Sequence, residues 1–120
     1  MRWRLLVFVL GFLGLTAALY WPSVPGPQTD LPLDKAVHLA LFAGVAFLGT
    51  WAGVPTMWLG ALLLLQAVAS EVVQARLLDR RGGDLLDLAA DVLGIALGLL
   101  AARALRVGTA TGSRGRPASS

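Results

Sequence analysis

Four long apolar runs, separated by short polar connections, are the feature that most narrows what this chain can fold into. The runs cover residues 5–20, 33–51, 56–78 and 84–105. A helix needs about 20 mostly apolar residues to cross the hydrocarbon core of a bilayer, whereas barrel strands are about half as long and alternate in polarity. We therefore predict an all-α fold, a four-helix transmembrane bundle.

The composition excludes most soluble alternatives. Hydrophobic residues make up 57% of the 120 residues and charged residues 14%, whereas about a quarter of the residues in a soluble domain are charged. The chain has no cysteine, which excludes disulfides, thiolate metal sites and a cysteine nucleophile. Its net charge of +3 comes largely from arginines near the two chain ends, which suits anionic lipid headgroups. Since the chain lacks a basic stripe with interleaved aromatic residues, we predict no nucleic-acid partner.

The first apolar run allows two interpretations. Its basic start, Arg2 and Arg4, is also typical of a secretory signal peptide. The length of the run, the aromatic pair Tyr20 and Trp21 at its end and the lack of a clean cleavage site favour a membrane-spanning helix.

The composition changes after the fourth run. From residue 107 onward the chain consists mainly of glycine, serine, threonine, alanine, arginine and proline, a composition typical of disorder. We predict a transmembrane domain over residues 1–106 and a disordered cytoplasmic tail over residues 107–120.

Charge placement predicts the orientation of the bundle. Four membrane-spanning helices would place both chain ends on the same side of the membrane, and the 51–55 connection, which follows the second helix, would lie on that side too. The basic residues on that side are Arg2, Arg4, Arg103, Arg106, Arg114 and Arg116. The acids lie in or near the opposite side: Asp30, Asp34, Glu71, Asp79, Asp84, Asp87 and Asp91. Because basic residues are concentrated on the cytoplasmic side of membrane proteins, we predict cytoplasmic termini.

Three of the predicted helices carry polar stripes at helical spacing near their outer ends. In chain order, the stripes are Asp34, Lys35, His38 and Phe42; Glu71 and Gln74; and Asp84, Asp87, Asp91, Gly94 and Gly98. An ionised carboxylate facing lipid costs about 2.5–3.5 kcal/mol at a helix centre. We therefore predict that the stripes face one another. The deep acids Glu71 and Asp91 should pair with basic side chains of the stripes or of the 79–83 turn, or else be protonated. Gly94 and Gly98 should form a helix-packing surface.

These stripes resemble the pattern of the VanZ-like family, small bacterial multi-pass membrane proteins named for a teicoplanin (glycopeptide) resistance protein. The matching motifs are Asp34-Lys35-x-x-His38-x-x-x-Phe42, Glu71-x-x-Gln74 and Arg81-x-x-Asp84-x-x-Asp87-x-x-x-Asp91-x-x-Gly94-x-x-x-Gly98. Their order and spacing agree between Asp34 and Gly98. The chain departs from the pattern at Asp84, where a small polar residue is common, and at Asp91, where asparagine is usual.

The resemblance implies a cell-envelope role in the plasma membrane of a bacterium, with a polar site on the outer face, and it implies no particular reaction. Our leading hypothesis is a pocket that binds a polar or anionic headgroup, of a phospholipid or a lipid-linked cell-wall precursor. Arg81 and Lys35 would hold the anion, and Glu71, Asp87 and His38 would orient polar groups or move a proton. The predicted binding residues are Asp34, Lys35, His38, Glu71, Gln74, Arg81, Asp84, Asp87 and Asp91.

Two other classes stay open at this point. In a membrane-embedded hydrolase or transferase acting on a lipid headgroup, His38 and Glu71 would be the catalytic acid–base pair. In a structural subunit of a membrane complex, the polar residues would only hold helices together. The sequence leaves the oligomeric state open.

We predict no cofactor and no metal. A metal site made by His38, Asp34, Glu71 and Asp87 is conceivable from the donor atoms. A single histidine and the absence of cysteine argue against it.

Overall fold

The computed structural model describes residues 2–20, 33–77 and 85–113, with side chains described for 2–20, 35–73, 76 and 85–105. The elements are α1 (Arg2–Tyr20), α2 (Leu33–Trp51), α3 (Thr56–Leu77) and α4 (Leu85–Ser113). No strand occurs among these residues. The predicted all-α fold with four helices is therefore confirmed.

Three of the four described helices are long and apolar enough to cross a membrane. The spans are Arg2–Tyr20, Thr56–Val73 and Leu85–Leu105, and no more than 33% of any of them is buried inside the protein. For α2 the range covered is Lys35–Trp51, since the side chains of its first two residues lie outside the described part of the chain. The expectation of a membrane-type fold is confirmed to that extent, and the crossing of α2 stays a prediction.

Helix α2 is the centre of the fold, since it contacts each of the other three helices and packs most extensively on α4. The two helices run parallel, because contacts advance along both in the same direction. A Cβ atom added at Gly94 would clash with the Leu39 carbonyl oxygen, and one added at Gly98 would clash with that of Ala43 and lie 2.8 Å from Ala46 Cβ. The two glycines therefore let the backbones of α2 and α4 approach closely.

A tight turn joins α2 to α3. Gly53 adopts a positive φ of 92°, which an L side chain rarely adopts. Its N–H donates to the Thr50 carbonyl (3.1 Å) and the Val54 N–H donates to the Gly49 carbonyl (3.0 Å), the bond pattern of a Schellman cap. Pro55 follows, and its carbonyl accepts from Leu59 N–H (3.0 Å) at the start of α3. This turn is the 51–55 connection between the second and third apolar runs.

The core is apolar and formed by all four helices. Its fully buried side chains include Leu15 and Leu19 of α1, Phe42 of α2, and Leu59 and Leu63 of α3. Large apolar side chains on the outside are exposed around the whole bundle, for example Trp58 (72%) and Leu85 (83%). Such a surface suits hydrocarbon rather than water.

The backbone of α4 is helical to Ser113, seven residues past the boundary predicted at residue 106. Its side chains from residue 106 onward, and all of residues 114–120, lie outside the described part of the chain. The disorder of the tail and the cytoplasmic position of both termini stay predictions.

Candidate functional site

A buried hydrogen-bonded pair of ionisable side chains joins α2 to α4 at the centre of the candidate site. His38 Nδ1 lies 2.8 Å from Asp91 Oδ1, and the two side chains are 6% and 0% exposed. With the ring proton on Nδ1, the imidazole donates to the carboxylate. Removal of one partner of such a pair destabilises the protein, because the other is then left as an uncompensated buried polar or charged group.

Helix α3 contributes a second carboxyl group to the same place. Glu71 is 9% exposed, and one oxygen of its side chain, one ring nitrogen of His38 and one oxygen of Asp91 all lie within 4.8 Å of one another. The neighbouring Ser70 is fully buried and donates to the Ala67 carbonyl of its own helix (2.9 Å). Side chains from three helices therefore meet at one point inside the bundle.

Lys35 and Asp87 form an ion pair about one helical turn nearer the start of α2 and α4. Lys35 Nζ is 3.6 Å from Asp87 Oδ1, and the two side chains are 38% and 12% exposed. Exposure thus falls from Lys35 at the rim to Asp91 inside. We use the term polar cluster for Lys35, His38, Glu71, Asp87 and Asp91 together.

Geometry along α2 and α4 explains why these side chains meet. Residues three or four apart share one face of a helix, so Lys35 and His38 lie on one face of α2, and Asp87 and Asp91 on one face of α4. Gly94 continues that face of α4 and lies against the backbone of α2. The close backbone contact therefore sets the level at which each acid meets its partner.

The other predicted site residues lie at the ends of the described segments or outside them. Asp34 and Gln74 belong to the helical backbones of α2 and α3, but their side chains lie outside the described residues. Arg81 and Asp84 fall outside the described residues altogether. Their binding roles stay predictions.

One polar contact was not anticipated. Gln66 of α3 does not join the polar cluster; its Nε2 donates to Thr16 Oγ1 of α1 (3.0 Å). Thr16 in turn donates to the Phe12 carbonyl (2.9 Å). The signal in the sequence was a single threonine within the apolar run of α1, which is a common way for polar side chains to join helices in lipid.

The opposite end of the bundle has a different character. Trp3 of α1 and Trp51 of α2 form an edge-to-face pair with ring centroids 5.0 Å apart. The Arg4 guanidinium lies 5.0 Å from the Trp51 ring centroid and 5.7 Å from that of Trp3. Indole rings and arginine are typical of a membrane–water interface, and we call this group the aromatic end.

The charges of the polar cluster indicate which ligands it can attract. Three acids, Glu71, Asp87 and Asp91, face the cation of Lys35 and the titratable ring of His38. In the weakly polarisable interior of a bundle, such an excess of carboxyl groups attracts a proton, a metal cation or a hydrogen-bond donor. Lys35, at the rim, is placed to contact an anion.

Comparison with known proteins finds no family model, no curated protein and no solved structure that matches this chain. The resemblance to the VanZ-like family therefore rests on the residues themselves and stays a prediction.

Proposed function

We propose that this chain is a VanZ-like, multi-pass protein of a bacterial plasma membrane, and that its polar cluster binds a polar or anionic headgroup. The headgroup would belong to a phospholipid or a lipid-linked cell-wall precursor. The observation that carries the proposal is the polar cluster itself, in which ionisable side chains of mostly apolar helices meet at 2.8 Å and 3.6 Å. Ionisable groups inside a membrane bundle are rare and usually functional, since each one is costly there.

The gradient of exposure across the cluster supports a headgroup rather than a free solute. Lys35, the most exposed member, lies in the first turn of α2, at the end of the helix that would meet the lipid phosphates. Its long side chain can extend towards that interface while its stem stays apolar. A headgroup phosphate at Lys35 would place the remaining polar groups of the same lipid towards Asp87 and His38.

The proposal requires the outer end of the bundle to hold the cluster, with four spans and cytoplasmic termini. The chain contains no cysteine, so single cysteines can be introduced without background. In intact cells, a membrane-impermeant maleimide should label Ser23→Cys, and should label Ser119→Cys only after permeabilisation. The reverse pattern would put the polar cluster on the cytoplasmic side.

Headgroup binding is tested by native mass spectrometry of the chain extracted with its own membrane lipids. The wild type should retain a lipid, and Glu71→Gln and Lys35→Met should lose it while staying folded. Gln66→Ala is the matched control, because Gln66 is a polar residue of the same helix as Glu71 but bonds to α1. Equal lipid retention in all four proteins would contradict the proposal that the polar cluster binds the headgroup.

A cellular test follows from the resemblance to a teicoplanin resistance protein. In cells that depend on this chain for glycopeptide tolerance, Arg81→Ala and Glu71→Ala should each abolish tolerance, although the protein still accumulates in the membrane. Full tolerance in both variants would contradict a role for the pocket in resistance.

One observation favours a membrane-embedded enzyme as the second candidate function. Asp91 holds the imidazole of His38 at 2.8 Å, and a carboxylate that orients a histidine in this way is a frequent element of acid–base catalysis. Purified protein incubated with radiolabelled envelope lipids should then yield a product, and His38→Ala should stop its formation. Turnover that persists in His38→Ala would exclude His38 as the acid–base residue.

A further inference from the structure

We infer that His38, Glu71 and Asp91 form a binding site for one divalent transition-metal ion, with Zn²⁺ or Mn²⁺ the fitting class. The metal site stands on its own geometry, whereas its connection to a headgroup, described below, rests on the proposed function. The proposal departs from the expectation drawn from the sequence, which predicted no metal and considered Asp34 and Asp87 as ligands rather than Asp91.

The arrangement of donor atoms carries the first part of the inference. One ligand atom from each of the three residues lies within 4.8 Å of the others, and all three residues are buried. Ligand atoms bound at about 2.0–2.2 Å around one Zn²⁺ lie roughly 3.3 Å apart. No separation therefore has to shorten by more than about 1.5 Å, a change that rotation about side-chain bonds can supply.

The second carboxylate oxygen of Asp91 provides an independent observation. Asp91 is 0% exposed, and its Oδ1 accepts from His38. Its Oδ2 is buried and accepts no hydrogen bond from any residue that the structure describes. Such an oxygen inside a protein costs free energy unless a proton or a cation satisfies it, and it lies on the carboxyl group that belongs to the three-residue site.

The chemistry of the donors selects the class of ion. An imidazole nitrogen suits zinc, iron, copper and nickel, whereas carboxylate oxygens suit magnesium, calcium and manganese. A mixed set of one nitrogen and two carboxylates therefore favours a borderline divalent ion over calcium or magnesium. Three protein ligands also leave at least one coordination position for another oxygen donor.

A bound metal ion would also explain how an acidic cluster can bind an anionic headgroup. The polar cluster by itself holds more acids than permanent cations, which disfavours an anionic headgroup. A divalent ion bound by His38, Glu71 and Asp91 would neutralise the excess negative charge of the cluster. A phosphate oxygen of a lipid headgroup could then bind to the metal, with Lys35 contacting the same phosphate from the rim.

The experiment measures binding of Zn²⁺ to the full-length chain, purified in detergent and stripped of metal with a chelator. Isothermal titration with ZnCl₂ should give one ion per chain, and Zn²⁺ should raise the temperature of thermal unfolding while Mg²⁺ has a much smaller effect. Asp91→Asn, Glu71→Gln and His38→Gln should each lower the affinity by at least about tenfold, since even outer groups around a metal account for about 10–100-fold.

Gln66→Ala is the matched control. Gln66 is a polar residue of α3, the helix that carries Glu71, and it donates to Thr16 of α1 outside the three-residue site. This variant should bind one ion per chain with the affinity of the wild type. Wild-type protein that is folded by circular dichroism and yet binds no Zn²⁺ or Mn²⁺ at about 1 mM would overturn the proposal, and this result does not depend on any variant being stable. Binding that survives in all three ligand variants would overturn it as well.

The outcomes for metal and headgroup are separable. Zn²⁺ binding without any retained lipid would keep the metal site and contradict the proposed function. Lipid retained equally by the chelator-treated and the Zn²⁺-loaded protein would contradict the connection between the two. Lipid retained only with Zn²⁺, and lost in Glu71→Gln, is the expected result.

Discussion

The two ends of the bundle deal with charge in opposite ways. At the aromatic end, Arg4 lies over the faces of Trp3 and Trp51, where its charge can stay near water. In the polar cluster, charged groups are enclosed among helices, and Asp91 is fully buried. The aromatic end suits anchoring at a membrane interface and involves side chains of two helices only. The polar cluster requires three helices to hold its side chains together, so substitutions in the cluster should affect both the stability of the fold and the binding function.

The largest effect should follow from breaking the buried pair. His38→Ala leaves the carboxyl group of Asp91 without its imidazole partner, and we expect the free energy of unfolding to fall by about 3–5 kcal/mol. Unfolding by sodium dodecyl sulfate in mixed micelles, followed by circular dichroism, measures the change.

The companion variant is the double substitution His38→Leu with Asp91→Leu. Replacing a buried pair by apolar residues of similar size is often close to neutral, so the double variant should recover most of the loss while no longer binding Zn²⁺. A double variant as unstable as His38→Ala would show that the cluster is needed for folding itself, which favours the structural interpretation.

A smaller effect should follow from widening the contact that supports the cluster. In Gly98→Val, the new side chain clashes with the Ala43 backbone of α2, and overpacking of this kind costs about 1–3 kcal/mol. Gly44→Ala is the control, because a Cβ atom added there meets nothing within 4 Å. Thermal unfolding in detergent compares the two. Equal stability would mean that α2 and α4 can move apart without cost.

The rim of the cluster should respond more weakly. Lys35→Met keeps the apolar stem and removes the charge that lies 3.6 Å from Asp87, and a partly exposed pair contributes about 1 kcal/mol or less. Since salt screens such pairs, the difference between Lys35→Met and the wild type should shrink when unfolding is measured at high ionic strength. A large difference that does not change with salt would show that Lys35 and Asp87 contribute as much to stability as the buried pair of His38 and Asp91.

A similarly small effect should occur at the aromatic end. Arg4→Gln removes a partly buried cation over two rings, an interaction of about 0.5–1 kcal/mol where it is little desolvated. Arg103→Gln, a change at an exposed arginine of α4, is the control, and both variants are compared by the same unfolding measurement. If Arg4→Gln lowered stability as much as His38→Ala, the contrast between the two ends would fail.

Much of this arrangement could be predicted because few structures keep backbone polar groups and ionisable side chains paired within hydrocarbon. The helices follow from the length of the apolar runs, and Gly53 and Pro55 mark the turn between α2 and α3 by backbone chemistry alone. The polar faces of α2, α3 and α4 could be matched since no ionisable group is stable against hydrocarbon.

The pairing within the cluster could not be predicted in the same way. Asp87 and Asp91 lie on one helical face, and helical spacing alone cannot tell which of them meets His38. The answer depends on how far α4 is displaced along α2, and this displacement is set by where Gly94 and Gly98 touch the backbone of α2. Gln66 illustrates the same limit, since its contact with Thr16 depends on the rotation of α3 about its own axis.

The glycine contact has a consequence for how the chain could work. Because α2 and α4 touch through their backbones, their spacing does not depend on attraction between His38 and Asp91. An ion or a proton can therefore arrive at these two side chains, or leave them, while the helices keep their positions. We therefore expect binding to change the side-chain rotamers of the polar cluster and to leave the distance between α2 and α4 unaltered.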